Sequence, residues 1–355
     1  MAEVASAAVE TGRSIGRYFT VISMVPSLLF VLYVYGLFAA NAWPGPFEPV
    51  KALHAAENLS IAKIVALLVA ALLLGLVLHP FQFAMTQLLE GYWGRSCVGL
   101  GLARWRIMHY RRVVRNLRDD ATEANKEWKE AIAPDPATRD LLARMEPRDR
   151  TDWIDMWLDS ESGDPVLADY LRAKVFRAAL RQYPDAWRRM MPTRLGNVLR
   201  RYEDKAGQQY GLDIVRIAPH LNLVALREHR EYVDDCRKGL DLGVRLCVLF
   251  AFATVLSVGL LIRDGAWLLL ALAPYFISYL AYRGATSSAH AYGTALLTLV
   301  DLDRFALYEQ LHVPPPSSIH VERDRNAQLS KVLSGDQTSA LDYAPPKDAP
   351  ASETG

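Results

Sequence analysis

The sequence predicts an all-α integral membrane protein: two transmembrane helical hairpins with a cytoplasmic helical domain between them. Three observations carry this. The composition is unremarkable on average, 51% hydrophobic and 22% charged over 355 residues, yet apolar and arginine-rich stretches are sharply segregated along the chain. The apolar runs come as two pairs. No stretch of alternating apolar and polar residues marks a strand in the long segment that separates the pairs.

The first run, Tyr18 to Ala40, holds no charged residue and is long enough to cross a bilayer core. Pro26 inside it predicts a kink that neighbouring helices can accommodate. The small residues at 39–42, "AANA", resemble a signal cleavage site, but a cleavable signal has a shorter apolar core, so an uncleaved anchor is expected. The second run is Ile61 to Phe83. Lys63 at its start can snorkel, and His79 and Pro80 fall near its end. The third runs from Leu242 to Ile262, with Arg245 at its mouth, and the fourth from Trp267 to Tyr282, with Pro274 inside. Only residues 263–266 separate these two, which forces an antiparallel hairpin.

Arginine and lysine near the run ends set the orientation. Arg13 and Arg17 precede the first run. Arg95, Arg104, Arg106, Arg111, Arg112, Arg115 and Arg118 follow the second with no acid among them, and Arg237, Lys238 and Arg283 flank the other pair. Positive charge stays inside, so both termini and the middle segment are expected in the cytoplasm. Trp43, Trp267 and Tyr282 fall where interfacial aromatic belts sit.

The expected organisation is a cytoplasmic N-terminus (1–17), a first hairpin (18–83), a cytoplasmic helical domain (84–240), a second hairpin (241–283), a cytoplasmic helical extension (284–313) and a disordered tail (314–355). The tail reading rests on "PPPSS" and the polar, Pro-rich residues after it. In the middle domain, helical spacing runs from Ser96 to Ala133 and stops at Pro134 and Pro136. A second helix starts near Pro165, with Val166, Tyr170, Leu171, Val175, Phe176, Ala179 and Leu180 on an expected buried face. From Asn222 no proline occurs before Pro274, so one continuous helix should enter the third run. A helix from Trp267 to His312 would be about 70 Å long, and the small residues Gly284, Ala285, Ser287, Ser288 and Ala289 should let another helix approach it closely.

The stretch "MPTRLGNVLRRYED" (191–204) stands apart. Thr193 suits a helix cap. Leu195, Val198, Leu199 and Tyr202 form an apolar face, and Arg194, Arg200 and Arg201 decorate the rest. A structural joint is the favoured reading over a ligand site, because no catalytic partner lies nearby in the sequence.

The search for chemistry is mostly negative. A net charge of +1 gives no global argument for nucleic acid. The three cysteines, Cys97, Cys236 and Cys247, match no metal or redox spacing. His229, Asp234, Asp235 and Cys236 lack the spacing of a zinc site and read as a solvated helix face. No catalytic residue, cofactor site or metal site is expected, and the reading leans away from an enzyme without excluding one. Arg104, Arg106, Arg111, Arg112, Arg115, Arg194, Arg200 and Arg201 are the candidates for contact with anionic lipid or a partner. Gln82, Gln87 and Glu90 could line a vestibule, although no charge sits at the middle of a run to support a pore.

Three motifs, "LLEGYWG" at 88–94, "PTRLGNVLRRYEDKAGQQYGLD" at 192–213 and the "AYG…DLDRFALYEQL" run ending at 311, resemble a family of uncharacterised four-span bacterial membrane proteins found in actinobacteria-like genomes. The resemblance implies the same architecture and a bacterial plasma membrane, and it supplies no substrate. The expected function is that of a non-enzymatic plasma-membrane protein whose cytoplasmic domain senses or recruits a partner. Its contacts would be anionic lipids and a protein partner or further copies of itself, with no nucleic acid. An oligomeric channel or transporter is the alternative, and an inner-leaflet enzyme acting on lipid phosphate is a third.

Overall fold

Helices follow one another through the whole described chain, and no strand occurs among the described residues. The structure is a computed structural model that describes residues 24–43, 45–134, 136–160, 164–335 and 341. It divides into two compact units, residues 1–92 with 202–355, and residues 93–201.

The larger unit begins with α1, Val25–Ala39, in whose first turn Pro26 falls rather than in its interior. The start of the expected first span, 18–23, and Arg13 and Arg17 lie outside the described residues. After α2, Pro49–Glu57, comes α3, Ile61–Leu78, capped by the Ser60 hydroxyl, which accepts from the Lys63 N–H at 3.3 Å. A 3-10 turn through His79–Phe81 absorbs Pro80, and α4, Gln82–Glu90, ends where Gly91 takes φ 107°. That left-handed conformation favours glycine and stops the helix.

The core of this unit is a pair of long helices, α11, Arg227–Leu261, and α12, Leu272–Gln310. Pro274 sits in the first turn of α12, so nothing breaks the rod beyond it. The continuous helix starts at Arg227 and not at Asn222. Residues up to Val224 end the preceding helix α10, Ile214–Val224, and Ala225 and Leu226 are extended. The expected close approach is present. Ala285 and Ala289 are fully buried, and a Cβ on Gly243 of α11 would meet the Ala285 nitrogen at 2.9 Å. Gly284, by contrast, has open space beside it. Ile217 and Leu221 of α10 bury against Ala295, Leu299 and Val300 of α12.

Three helical stretches are long and apolar enough to cross a membrane: Ile61–Glu90, Arg227–Leu261 and Gly265–Gln310. Along α3 most large apolar side chains are exposed, Ile61 at 82% and Val77 at 59% among them. A helix apolar on all sides, left uncovered by its own protein, is built for an apolar surround.

The smaller unit is organised by α5, Cys97–Ile132, capped by the Ser96 hydroxyl on the Gly99 N–H at 3.1 Å. Two short helices follow, α6, Pro136–Arg144, and α7, Pro147–Leu158, then α8, Asp164–Leu180, which packs along α5. Ala124, Trp128, Ile132, Val166 and Ala173 form the core, with the Tyr170 ring edge-on to Trp128 at 5.3 Å. The buried face of α8 is narrower than the spacing predicts. Val166 and Ala173 are buried, whereas Leu171 and Val175 are exposed. The boundary between the units falls within α9, Arg194–Lys205.

The expectation of a disordered tail from 314 is corrected for its first part. Residues Ile319–Leu333 form α13, capped by the Ser318 hydroxyl. The remainder, 336–340 and 342–355, lies outside the described residues. The reason is a set of buried polar bonds. Glu322 accepts from Arg304 Nε and from the Tyr308 hydroxyl, both at 2.9 Å, and Asn326 donates to the Tyr210 carbonyl at 2.8 Å and to the Tyr308 hydroxyl at 2.6 Å. The Glu322 and Arg304 side chains are only 6% and 14% exposed. Removing one partner of such a pair strands the other charge, at a cost of about 3–5 kcal/mol. Glu322→Ala should therefore lower the melting temperature of the detergent-solubilised protein and expose Arg323 and Arg325 to trypsin. Melting and proteolysis identical to those of the unaltered chain would mean that α13 is not held this way.

Candidate functional site

Two features of the smaller unit gather the arginines that the sequence singles out. The first is the exposed side of α5 near its start. Val98, Leu102, Trp105 and Met108 recur at helical spacing and are all exposed, Val98 at 81%. Arg104, Arg112 and Arg115 are exposed alongside them. An apolar stripe flanked by guanidinium groups is the pattern of a helix that lies in a membrane–water interface. Arg106 and Arg111 are different. Arg106 donates to the Tyr110 hydroxyl at 3.0 Å and to the Pro192 carbonyl at 3.4 Å, and Arg111 lies 4.5 Å from the Trp187 ring centre. These two arginines fasten α5 to the chain segment that precedes α9.

The second feature is that segment itself. Asn197 is fully buried and bridges it. Its Oδ1 accepts from the Met191 N–H at 2.8 Å, while Nδ2 donates to the carbonyls of Met191 at 3.0 Å and Thr193 at 2.8 Å. Thr193 caps α9 through the Gly196 N–H at 3.0 Å, as the sequence predicts. Leu195 and Val198 are fully buried, whereas Leu199 is only half-buried. Arg194 donates to the Gln182 side chain at 2.5 Å, and Arg201 to the Tyr183 carbonyl at 3.0 Å. Arg200 is half-buried. Tyr183 stacks obliquely near Tyr110 with centroids 5.9 Å apart. Burial pushes its phenol above the ordinary value, Tyr110 adds to the rise and Arg194 opposes it.

In the larger unit the vestibule candidates part company. Gln82 is engaged in a buried polar cluster: its Nε2 donates to the Asp241 carbonyl at 3.0 Å and its Oε1 accepts from Arg245 Nε at 3.0 Å. Arg245 is fully buried and Asp241 nearly so. A single amide thus ties α4 to α11. Gln87 offers its backbone carbonyl to Gly91 and Tyr92 where α4 ends, and Glu90 is half-buried in the last turn. The helix face around His229 is also used. His229 Nδ1 lies 2.7 Å from Asp303 Oδ2, and the other Asp303 oxygen accepts from the Leu226 N–H at 3.3 Å. Asp235 pairs with Lys238 at 2.6 Å, and no group of three metal-ligating side chains occurs among the described residues.

Sequence reasoning singled out the arginines but not Asn197 or Asp303. An Asn inside "RLGNVL" on a helix with a good cap is a signal of sorts, because Asn is a poor helix former and needs a reason to be there. Comparison of the chain with protein-family models, with curated proteins and with solved structures gives no match.

Asn197 generates a test. Asn197→Leu keeps the volume but leaves one N–H and two carbonyls of the 191–193 segment without a partner, each a cost of about 1–3 kcal/mol. The variant should unfold at a clearly lower denaturant concentration than Arg115→Gln, whose exposed side chain should change stability by less than about 0.5 kcal/mol. Equal stability of the two variants would remove the joint reading of 191–204.

Proposed function

We propose that the chain is a four-span bacterial plasma-membrane protein, both termini in the cytoplasm, whose helical domain senses or recruits a partner at the inner leaflet. The observation that carries this is the exposed side of α5. Its apolar stripe of Val98, Leu102, Trp105 and Met108 has no cover from its own unit, and Arg104, Arg112 and Arg115 flank it. An aqueous domain has no use for such a stripe in isolation. A surface that is both apolar and cationic fits the boundary between headgroups and acyl chains of an anionic leaflet, where each basic residue adds about 1 kcal/mol of attraction.

Two further points support the reading. The stripe begins only a few residues after α4, the end of a stretch long and apolar enough to span, so the chain itself delivers α5 to the membrane surface. The described α1 is the apolar continuation of a run that is uncharged from Tyr18, which makes a fourth span the economical use of that segment. The arrangement of arginines supports a cytoplasmic side for the middle domain and both termini by the positive-inside rule. A sizeable helical unit with its own core, set in the sequence between apolar runs and bearing engaged, positioned arginines, supports the sensing or recruiting role.

Cysteine labelling in cells tests the whole reading. In a background lacking Cys97, Cys236 and Cys247, Ala55→Cys should react with a membrane-impermeant maleimide in intact cells. Trp105→Cys should react only after permeabilisation, and then more slowly than Arg144→Cys, because lipid covers position 105. Labelling at 105 in intact cells, or at the same rate as position 144 in opened membranes, would contradict the proposal.

A further inference from the structure

The smaller unit contains a cleft of about 210 Å³ whose walls come from α5, α8, the segment after α8 and the end of α9. Four arginines line it, Arg118, Arg177, Arg181 and Arg201, against one carboxylate, Asp185. Tyr183 forms part of the wall. Arg201 is the one of the four that the sequence offers as a contact residue; Arg118 on α5 and Arg177 and Arg181 on and just after α8 join it only in the fold.

The arginines are held, and held in a way that leaves capacity to spare. Arg201, whose side chain is 17% exposed, uses Nη1 for the carbonyls of Tyr183 at 3.0 Å and Leu180 at 3.5 Å, and its contact with Asp185 is long, 3.8 Å. Arg118 donates through Nη2 to the Asp185 carbonyl at 3.4 Å, and Arg177 donates through Nη2 to the Asn125 side chain. Arg181 is exposed at the rim. Each guanidinium carries five N–H donors, so these bonds use a minority of those present. Four like charges around one small cleft repel one another, and a single carboxylate, itself largely exposed, does not balance them. An anion with several acceptor oxygens would.

We propose that this cleft is a binding site for a phosphate-bearing anion, a monoester or diester headgroup recognised by Arg118, Arg177, Arg181 and Arg201. The planar fork of a guanidinium matches phosphate oxygens two at a time, which distinguishes this set from a generally basic surface. The volume limits the ligand. Sites for drug-sized molecules occupy about 300–1,000 Å³, so this cleft takes a phosphate with a few further atoms and leaves any longer body outside. The same chemistry is offered by a free phosphorylated metabolite and by an anionic lipid headgroup. The proposal deepens the sensing function above and rests on it for the meaning of the ligand: the bound phosphate is what the domain reports.

The test uses the full chain in a neutral detergent, where sidedness plays no part. A topology that overturned the cytoplasmic placement would leave this result standing, and a failure to bind would leave the topology standing. Melting temperature is followed against inorganic phosphate, glycerol 3-phosphate, short-chain phosphatidylglycerol and short-chain phosphatidylcholine, with chloride at equal ionic strength as reference. A saturable rise with phosphate and glycerol phosphate assigns a soluble ligand, and a rise with phosphatidylglycerol alone assigns a lipid headgroup. Either supports the site. Arg177→Gln with Arg181→Gln should weaken binding about tenfold or more, from the loss of two charge-assisted donors. Arg144→Gln with Arg172→Gln, which removes equal charge elsewhere on the unit, should leave it unchanged. If the double cleft variant is itself less stable, direct binding to Arg181→Gln alone decides, measured with labelled phosphate or with labelled short-chain phosphatidylglycerol, whichever stabilised the unaltered chain. No stabilisation beyond chloride, or equal loss in both double variants, overturns the proposal.

Discussion

The approach of α11 to α12 at Gly243 is the constraint on which the larger unit depends. A Cβ at that position would sit 2.9 Å from the Ala285 nitrogen and 3.0 Å from its Cα, so a larger residue would force the helices apart. Ser278 donates to the Cys247 carbonyl at 2.9 Å across the same pair. In an apolar surround, helices gain little from the hydrophobic effect by pairing, and close packing with a few interhelical hydrogen bonds must select the partner. From this contact the two rods run on together, and several other elements of this unit are fastened to one or the other. Gln82 holds α4 at Asp241 and Arg245, the Tyr33 hydroxyl of α1 meets Ser257 at 2.7 Å, and α13 is held at Arg304 and Tyr308. A shift of α12 along α11 would break the Ser278 bond and draw Asp303 away from His229 and the Leu226 N–H, and hydrogen bonds weaken steeply with such displacement.

Much of this was legible in the sequence because it is written in local rules. The cap at Thr193, the stop at Pro134, and the unbroken courses of α11 and α12 follow from residues whose effect is felt within one turn. The small residues at 285 and 289 announced a close contact, although not that Gly243 would be the partner. What was not legible depends on polar side chains meeting across the fold. The face that α13 buries carries Glu322, Asn326 and Ser330, so hydrophobic periodicity passes over it and composition alone suggests disorder. Leu199 has the right spacing for the core yet is half-buried, because Leu195, Gly196, Asn197 and Val198 take the buried side of α9.

The arginines sort by what they touch, which the sequence treated as one class. Arg106, Arg111, Arg194 and Arg201 spend donors or ring faces on neighbouring groups of their own unit, and exchanging them for lysine would lose the planar fork as well as a contact. Arg104, Arg112 and Arg115 are exposed beside an uncovered apolar stripe, the setting in which charge acts on a surface and not on a neighbour. Salt should distinguish the two groups, since exposed charge is screened within about 8–10 Å at ordinary ionic strength and partly buried bonds much less. Buried Arg245 belongs to neither group: it donates to Gln82, which donates to the Asp241 carbonyl, and this relay fixes where α4 meets α11.

The register of α11 against α12 is the claim from which most of this follows, and a designed disulfide measures it. A Cβ at Gly239 would lie 3.7 Å from the Ser288 Cβ, within the range of about 3.5–4.5 Å that a disulfide spans. In a chain with Cys97, Cys236 and Cys247 replaced, Gly239→Cys and Ser288→Cys should oxidise rapidly and within one molecule in native membranes, protecting both thiols from a maleimide of high mass. Reduction should restore two labelled sites. Two thiols that stay fully reactive after oxidation would show that the helices meet in another register, or do not meet there at all.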